Sequence, residues 1–426
     1  MWVYPPKLST KRAGRFVQKQ QGIFFGWWVL IAIGYSLFVG AGMIFYAMSV
    51  LLEALVATRG FSVAQISGAN TMFLVVGGLG GIAVGELISR YDARYCIAAG
   101  TIFIALTYYS LPAAHSLFAI YSAYAALGVG YAMTALVPAT TLVARWFVRR
   151  RALAIALTQS GLSLGGILLT PMLARVLELD GMDGLRAPWT MAVILPNIPL
   201  ALFLLRPEPQ AMGLNPDGDA DDPQEENEPQ QGMAAVQAMR SKFFLFSAAA
   251  AFLALMAQVG TIAHVFKWAL ERADGETAAI TVATLAFCSL TGRLICGAVL
   301  DRLNLFVFVM VIYALQAVAM FGMALVEGAL AVLMMTAFFG FTVGNVLMAQ
   351  PLLVATAFGV RDFPRILSLH QLAMNGGVAL GPVAIGLIYD FGGGYGNAFV
   401  FVGLCSVSAM ACLHNAGDPK LTASAR

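Results

Sequence analysis

Long apolar runs alternate with short polar, charge-bearing segments from one end of the chain to the other. A helix rises about 1.5 Å per residue, so about 20 apolar residues cross the ~30 Å hydrocarbon layer of a bilayer. Twelve runs come close to or exceed that length: 26–52, 65–88, 95–113, 117–143, 151–176, 188–205, 243–267, 277–300, 304–326, 329–356, 366–389 and 396–414. Lipid offers the backbone no hydrogen-bond partners, so each run is expected to be a helix. The sixth is the weakest, because Pro196 and Pro199 interrupt its ladder.

The polar segments divide these runs. Residues 1–22 form a basic tail, and the run that follows is too long for the apolar part of a signal peptide, so it is read as a retained first helix. Residues 207–242 separate runs six and seven. They hold Asp217, Asp219, Asp221, Asp222, Glu225, Glu226 and Glu228 among Pro, Gln and Gly, and read as a flexible acidic linker. The expected organisation is a tail (1–22), a six-helix bundle (23–206), the linker (207–242), a second six-helix bundle (243–414) and a second tail (415–426).

The bundles are related in sequence. At an offset of 212 residues, Gly85-x-Leu87-x-Ser89-Arg90 falls on Gly297-x-Val299-x-Asp301-Arg302, Leu157-x-Gln159 on Leu369-x-Gln371, and Gly165 on Gly377. Two six-helix units that start on the same side are parallel repeats, which place a substrate site between them near the midplane. The expected fold class is therefore all-α, a membrane protein of twelve helices in two parallel repeats.

Composition agrees: 60% of residues are hydrophobic and 11% charged. That is too little polar surface to cover a soluble globule, which carries about 25% charged residues. A net charge of +3 gives no reason to expect a nucleic-acid partner. The sign pattern is more informative. With the N-terminus in the cytoplasm, nineteen Lys and Arg fall on the cytoplasmic side and five outside, so both termini are expected to be cytoplasmic. Cys96, Cys288, Cys296, Cys405 and Cys412 lie within or beside apolar runs with no metal-ligand spacing. No Gly pair is followed by the Lys-Ser/Thr of a phosphate loop, so no nucleotide or other cofactor is expected.

The segment Gly85-Glu86-Leu87-Ile88-Ser89-Arg90-Tyr91-Asp92-Ala93-Arg94 resembles the loop 2–3 signature of the major facilitator superfamily, with Ser89 and Asp92 as departures. Gly297 to Arg302 resembles its second copy and keeps Asp301. More narrowly, Phe25-Gly26-Trp27-Trp28, Ala144-Arg145-Trp146-Phe147 and Gly381-Pro382 with Tyr389-Asp390 are similar to bacterial relatives of the monocarboxylate transporters. The resemblance implies a secondary transporter, not an enzyme. It works by alternating access, carries a carboxylate-like anion with a proton by symport, sits in a bacterial inner membrane and functions as a monomer. It also implies a gating motif made of Gly85, Arg90, Gly297, Asp301 and Arg302.

Arg293 lies seven residues before Leu300, roughly 10 Å inside the bilayer. A cation there is costly, about 2.5–3.5 kcal/mol on insertion scales, and normally faces a cavity with a partner. No Asp or Glu lies deep in any run. An anionic substrate would supply the missing charge, and a guanidinium fork suits a carboxylate. In the family resembled, an Arg of helix eight binds substrate. The Asp that eukaryotic members place four residues earlier is Ser289 here, a second candidate contact. Tyr131 and Asn345, near the middles of runs four and ten, are candidate hydrogen-bond donors. His264 and His370 are the histidines inside runs, and candidates for a coupling proton. The rival reading is an exporter of an amphipathic or hydrophobic compound, using aromatic residues such as Phe45, Tyr46 and Phe338. A transporter-like sensor would need an added soluble domain, and an intramembrane enzyme would need clustered His and carboxylates.

Overall fold

The computed structural model describes residues 24–147, 150–218, 232–300, 303–359 and 362–419. Six helices precede the linker: α1 (Gly26–Arg59), α2 (Val63–Arg90), α3 (Ala93–Ser110), α4 (Leu117–Thr134 continued by Leu136–Trp146), α5 (Arg151–Asp180) and α6 (Pro188–Leu204). Six follow it: α7 (Lys242–Arg272), α8 (Gly275–Val299), α9 (Leu305–Leu325), α10 (Ala329–Phe358), α11 (Phe363–Gly392) and α12 (Tyr395–Ala416). All but α6 are long and apolar enough to cross a membrane unaided. In α6 two short helices, Pro188–Ile194 and Asn197–Leu204, meet where Pro196 interrupts the ladder.

Helix starts follow capping chemistry. Ser62 and Gln65 form a reciprocal capping box at the start of α2. Asp274 caps α8. Its carboxyl accepts from the Thr277 amide at 2.8 Å and the Thr277 hydroxyl at 3.1 Å, and these bonds, the amide's first, hold it below the ordinary carboxylate range.

The pairing of the first six helices recurs in the second six. α1 packs on α5 as α7 packs on α11, α2 on α4 as α8 on α10, and α3 on α6 as α9 on α12. Between the halves, α2 meets α11 and α5 meets α8, two contacts that the repeat interchanges, and the last part of α1 lies on α7. Glycines permit the closest approaches. A Cβ on Gly165 would run into the Phe38 carbonyl oxygen of α1, and one on its repeat partner Gly377 into the Phe252 carbonyl oxygen of α7.

Two helices depart from the continuous spans that the apolar pattern predicts. In α1 a π-helical turn spans Ala41–Phe45, so the Tyr46 amide bonds back to the Ala41 carbonyl at 2.8 Å. The Tyr108 hydroxyl donates to the Met43 carbonyl, and the Thr170 hydroxyl to that of Gly42 at 2.8 Å. In α4 the helix breaks at Ala135. Pro138 lacks the amide that would bond the Thr134 carbonyl, and the Ser36 hydroxyl donates to that carbonyl instead, at 2.7 Å. Asn197 in turn donates to Ser36 at 3.2 Å and to Thr101 at 2.9 Å, so one polar chain ties α1, α3, α4 and α6.

Candidate functional site

Arg293 sits on α8 with its stem against α10. A Cβ on Gly344 would stand 3.2 Å from the Arg293 Cβ, so glycine at 344 lets the side chain leave the helix there. The residue is partly buried, and its Nε is buried without a hydrogen-bond partner. Among the described residues no carboxylate pairs with it. Lys267, Arg272, Arg175, Arg186 and Arg94 each have one. Ser289, one turn earlier on the same face, is buried against Gly344. Asn345 follows Gly344 and is fully buried. Its amide donates to the Phe341 carbonyl at 2.8 Å, and its Oδ1 has no partner. The structure thus brings Arg293, Ser289 and Asn345 together where α8 meets α10.

The other half contributes aromatics. The π turn in α1 ends at Tyr46, which is buried in the neighbourhood of Arg293. Tyr131, on the last turn of α4 before its break, lies in the same neighbourhood as Tyr46. Its ring packs edge-on against Phe73 at 5.4 Å and near Gly40 of α1. Gly166 of α5 marks the crossing, since a Cβ there would overlap both the Tyr46 ring and Ala286 of α8. Tyr46 of one half and Arg293 of the other therefore lie near one another, beside the crossing of α5 and α8. Phe45 lies edge-on to Tyr46 at 5.5 Å, whereas Phe338 is exposed.

The two histidines differ. His264 is fully buried at the face opposite the linker and is hydrogen-bonded on both nitrogens, Nδ1 to the Tyr395 hydroxyl at 3.1 Å and Nε2 to the Pro382 carbonyl at 3.0 Å. His370 is also fully buried. It packs edge-on against Phe244, and neither ring nitrogen has a partner. Neither lies with Arg293. Of the motif residues, Gly297 is in α8 near the Met348 sulfur, and Gly85 and Arg90 are in α2, while Asp301 and Arg302 lie outside the described residues.

Tyr46 enters the sequence reading only among the aromatics of the exporter alternative, not as a neighbour of Arg293. It reads as one more aromatic in a run of apolar residues, and its place in the fold follows a helical irregularity stabilised by α3 and α5.

The profile of the Major Facilitator Superfamily matches residues 31–357. The chain belongs to that superfamily. It is 25% identical over 348 residues to the MFS transporter asaE of Aspergillus flavus, covering 76% of this chain and 71% of that one. It is also 25% identical over 408 residues to an MFS-type transporter of Gibberella moniliformis, covering 91% of this chain and 89% of that one. Among solved structures it shares the fold of a bacterial homologue of the human lysosomal transporter Spinster, at a TM-score of 0.65, 18% identity, and coverage of 95% and 98%. As a facilitator-superfamily member the chain is a multi-pass membrane transporter of small molecules rather than an enzyme. The two relatives are fungal, so they lend no support to the expected bacterial inner membrane.

Proposed function

We propose that the chain is a secondary transporter of a small organic anion, carried by alternating access and coupled to an ion gradient, most simply of protons. The observation that carries this reading is Arg293: a cation between the halves, its Nε desolvated and unpartnered, with no described carboxylate to neutralise it. A substrate carboxylate would complete it, and the tyrosines would bracket the substrate's apolar remainder. The similarity of the helix ends to bacterial monocarboxylate-transporter relatives points the same way. Export of an amphipathic compound is the second reading, favoured by the aromatic wall of Phe45, Tyr46, Phe73 and Tyr131.

A ligand screen separates them. Purified protein should melt at a higher temperature with short monocarboxylates than with matched neutral amides or alcohols, because only a ligand bound to the native state raises the midpoint. Stabilisation by neutral apolar compounds and not by any carboxylate would favour the exporter.

The Lys and Arg distribution supports placing the linker face in the cytoplasm. An impermeant thiol reagent added to intact cells should then modify a cysteine introduced at the exposed Asp183 but not one at Asn215. The reverse pattern would invert the topology.

A further inference from the structure

At the face opposite the linker, the two halves are joined by polar side chains that the Arg293 site does not use. Lys267 of α7 crosses to Glu53 of α1, Nζ to Oε2 at 2.7 Å, and lies 3.3 Å from Glu271 one turn along its own helix. The Lys267 side chain is 10% exposed and that of Glu53 17%, so solvent screens this bridge less than an ordinary surface pair. The Tyr389 hydroxyl of α11 donates to Glu271 at 2.6 Å, and the Tyr389 ring lies under the Lys267 ammonium at 5.8 Å. One turn before Lys267, the His264 ring meets the Ser67 hydroxyl of α2 at 3.1 Å. Asp390 of α11 accepts from the Ala64 amide at the start of α2, at 2.7 Å. Lys267–Glu53, His264–Ser67 and Asp390–Ala64 all link one half to the other, and all sit at this face.

The charges do not balance. Two carboxylates, Glu53 and Glu271, share one ammonium. The other cations nearby are taken: Arg272 pairs with Glu327 at 3.1 Å and Arg175 of α5 with Glu178 at 2.7 Å. Arg175 and Glu178 line, with Glu53, a cavity of about 790 Å³, to which α8 adds another carboxylate, Glu276. A carbonyl accepts only, so the His264 ring must donate from Nε2 to Pro382. Nδ1 meets the Tyr395 hydroxyl, which can either donate or accept. Two carboxylates therefore share one ammonium, in an ion pair whose ends belong to different halves.

We propose that Glu53 is the proton-binding site of this transporter, and that its proton controls the face opposite the linker. With Glu53 ionised, the bridge to Lys267 holds α1 against α7 and the face is closed. A proton arriving from solution adds to the Glu53 carboxylate and removes its charge. Lys267 keeps its own proton and stays with Glu271, on the same helix, and α1 is released from α7. Falling pH therefore opens this face and rising pH closes it. The inference rests on alternating access, but not on the substrate being an anion.

The test uses full-length protein in lipid nanodiscs without substrate. Spin labels are placed on cysteines introduced at Leu179 and Leu325, exposed positions at the ends of α5 and α9 on this face. The native cysteines are buried or half-buried, and labelling of the parent chain serves as the blank. As the pH falls, the separation should shift toward a longer population. Glu53→Gln should show the longer population throughout, with no pH response. The exchange Glu53→Lys with Lys267→Glu keeps one ammonium between two carboxylates and should restore closure at high pH. A pH-insensitive distance in the wild-type chain, or a response that survives in Glu53→Gln, would overturn the assignment. Because no ligand is present, a failure here does not touch the Arg293 reading, and a ligand screen without carboxylate hits does not touch this one.

Discussion

Arg293→Gln should weaken binding of a carboxylate substrate by about tenfold to a hundredfold, with insertion and yield unchanged. Hydrogen bonds to charged groups contribute roughly 1.5–3 kcal/mol, and each 1.4 kcal/mol is about a factor of ten. The variant also removes a partly desolvated charge from the bundle, so the empty protein should melt no lower than wild type. That opposition, lost affinity without lost stability, distinguishes a binding residue from a structural one. Arg293→Lys keeps the charge but loses the planar fork, and should recover only part of the affinity. Binding and uptake of the best ligand from the carboxylate screen, measured for the three proteins side by side, check this. Unchanged affinity in a well-inserted Arg293→Gln would remove the organic-anion reading and leave the exporter.

Gly165→Ala should be among the most destabilising single-methyl additions in the chain. The added Cβ meets the Phe38 carbonyl oxygen and the Gly42 amide, which are backbone and cannot swing aside, so α1 and α5 must separate. Overpacking of this kind costs about 1–3 kcal/mol, and separating two helices in lipid loses the contacts that hold them together. Gly377→Ala, on the repeat partner, should behave alike. Gly78→Ala is the control, because nothing lies within 4 Å of its Cβ position and alanine is the better helix former. Thermal unfolding in detergent should rank Gly78→Ala at or above wild type and both others well below. Equal melting of Gly165→Ala and Gly78→Ala would mean that α1 and α5 are not packed this closely.

The helices and their repetition are legible in sequence because lipid imposes them locally: each span must be apolar, long and internally hydrogen-bonded. Arg293 is legible for the same reason, since a charge deep in an apolar run stands out. What cannot be read is set by partners distant in the chain. The break in α4 follows Pro138, but it is held by Ser36 and Asn197. The π turn that delivers Tyr46 depends on Tyr108 and Thr170. Glu53 and Lys267 each read as ordinary end-of-span charges, and only the fold places them 2.7 Å apart. His264 is a candidate from residue type alone, and its bonds give it a joining role beside the bridge rather than a place with Arg293.

The linker's two ends are each fastened to a single half. Asp217 accepts from the Arg150 amide at the start of α5 at 3.1 Å, while the Ala235 amide donates to Asp362 at the start of α11 at 2.8 Å. Positions 150 and 362 are 212 apart, so the two fastenings sit at equivalent places in the repeat. Each anchor travels with its own bundle. A cut in the segment between them would break neither, and two separately synthesised fragments would each carry a finished edge with which to find the other.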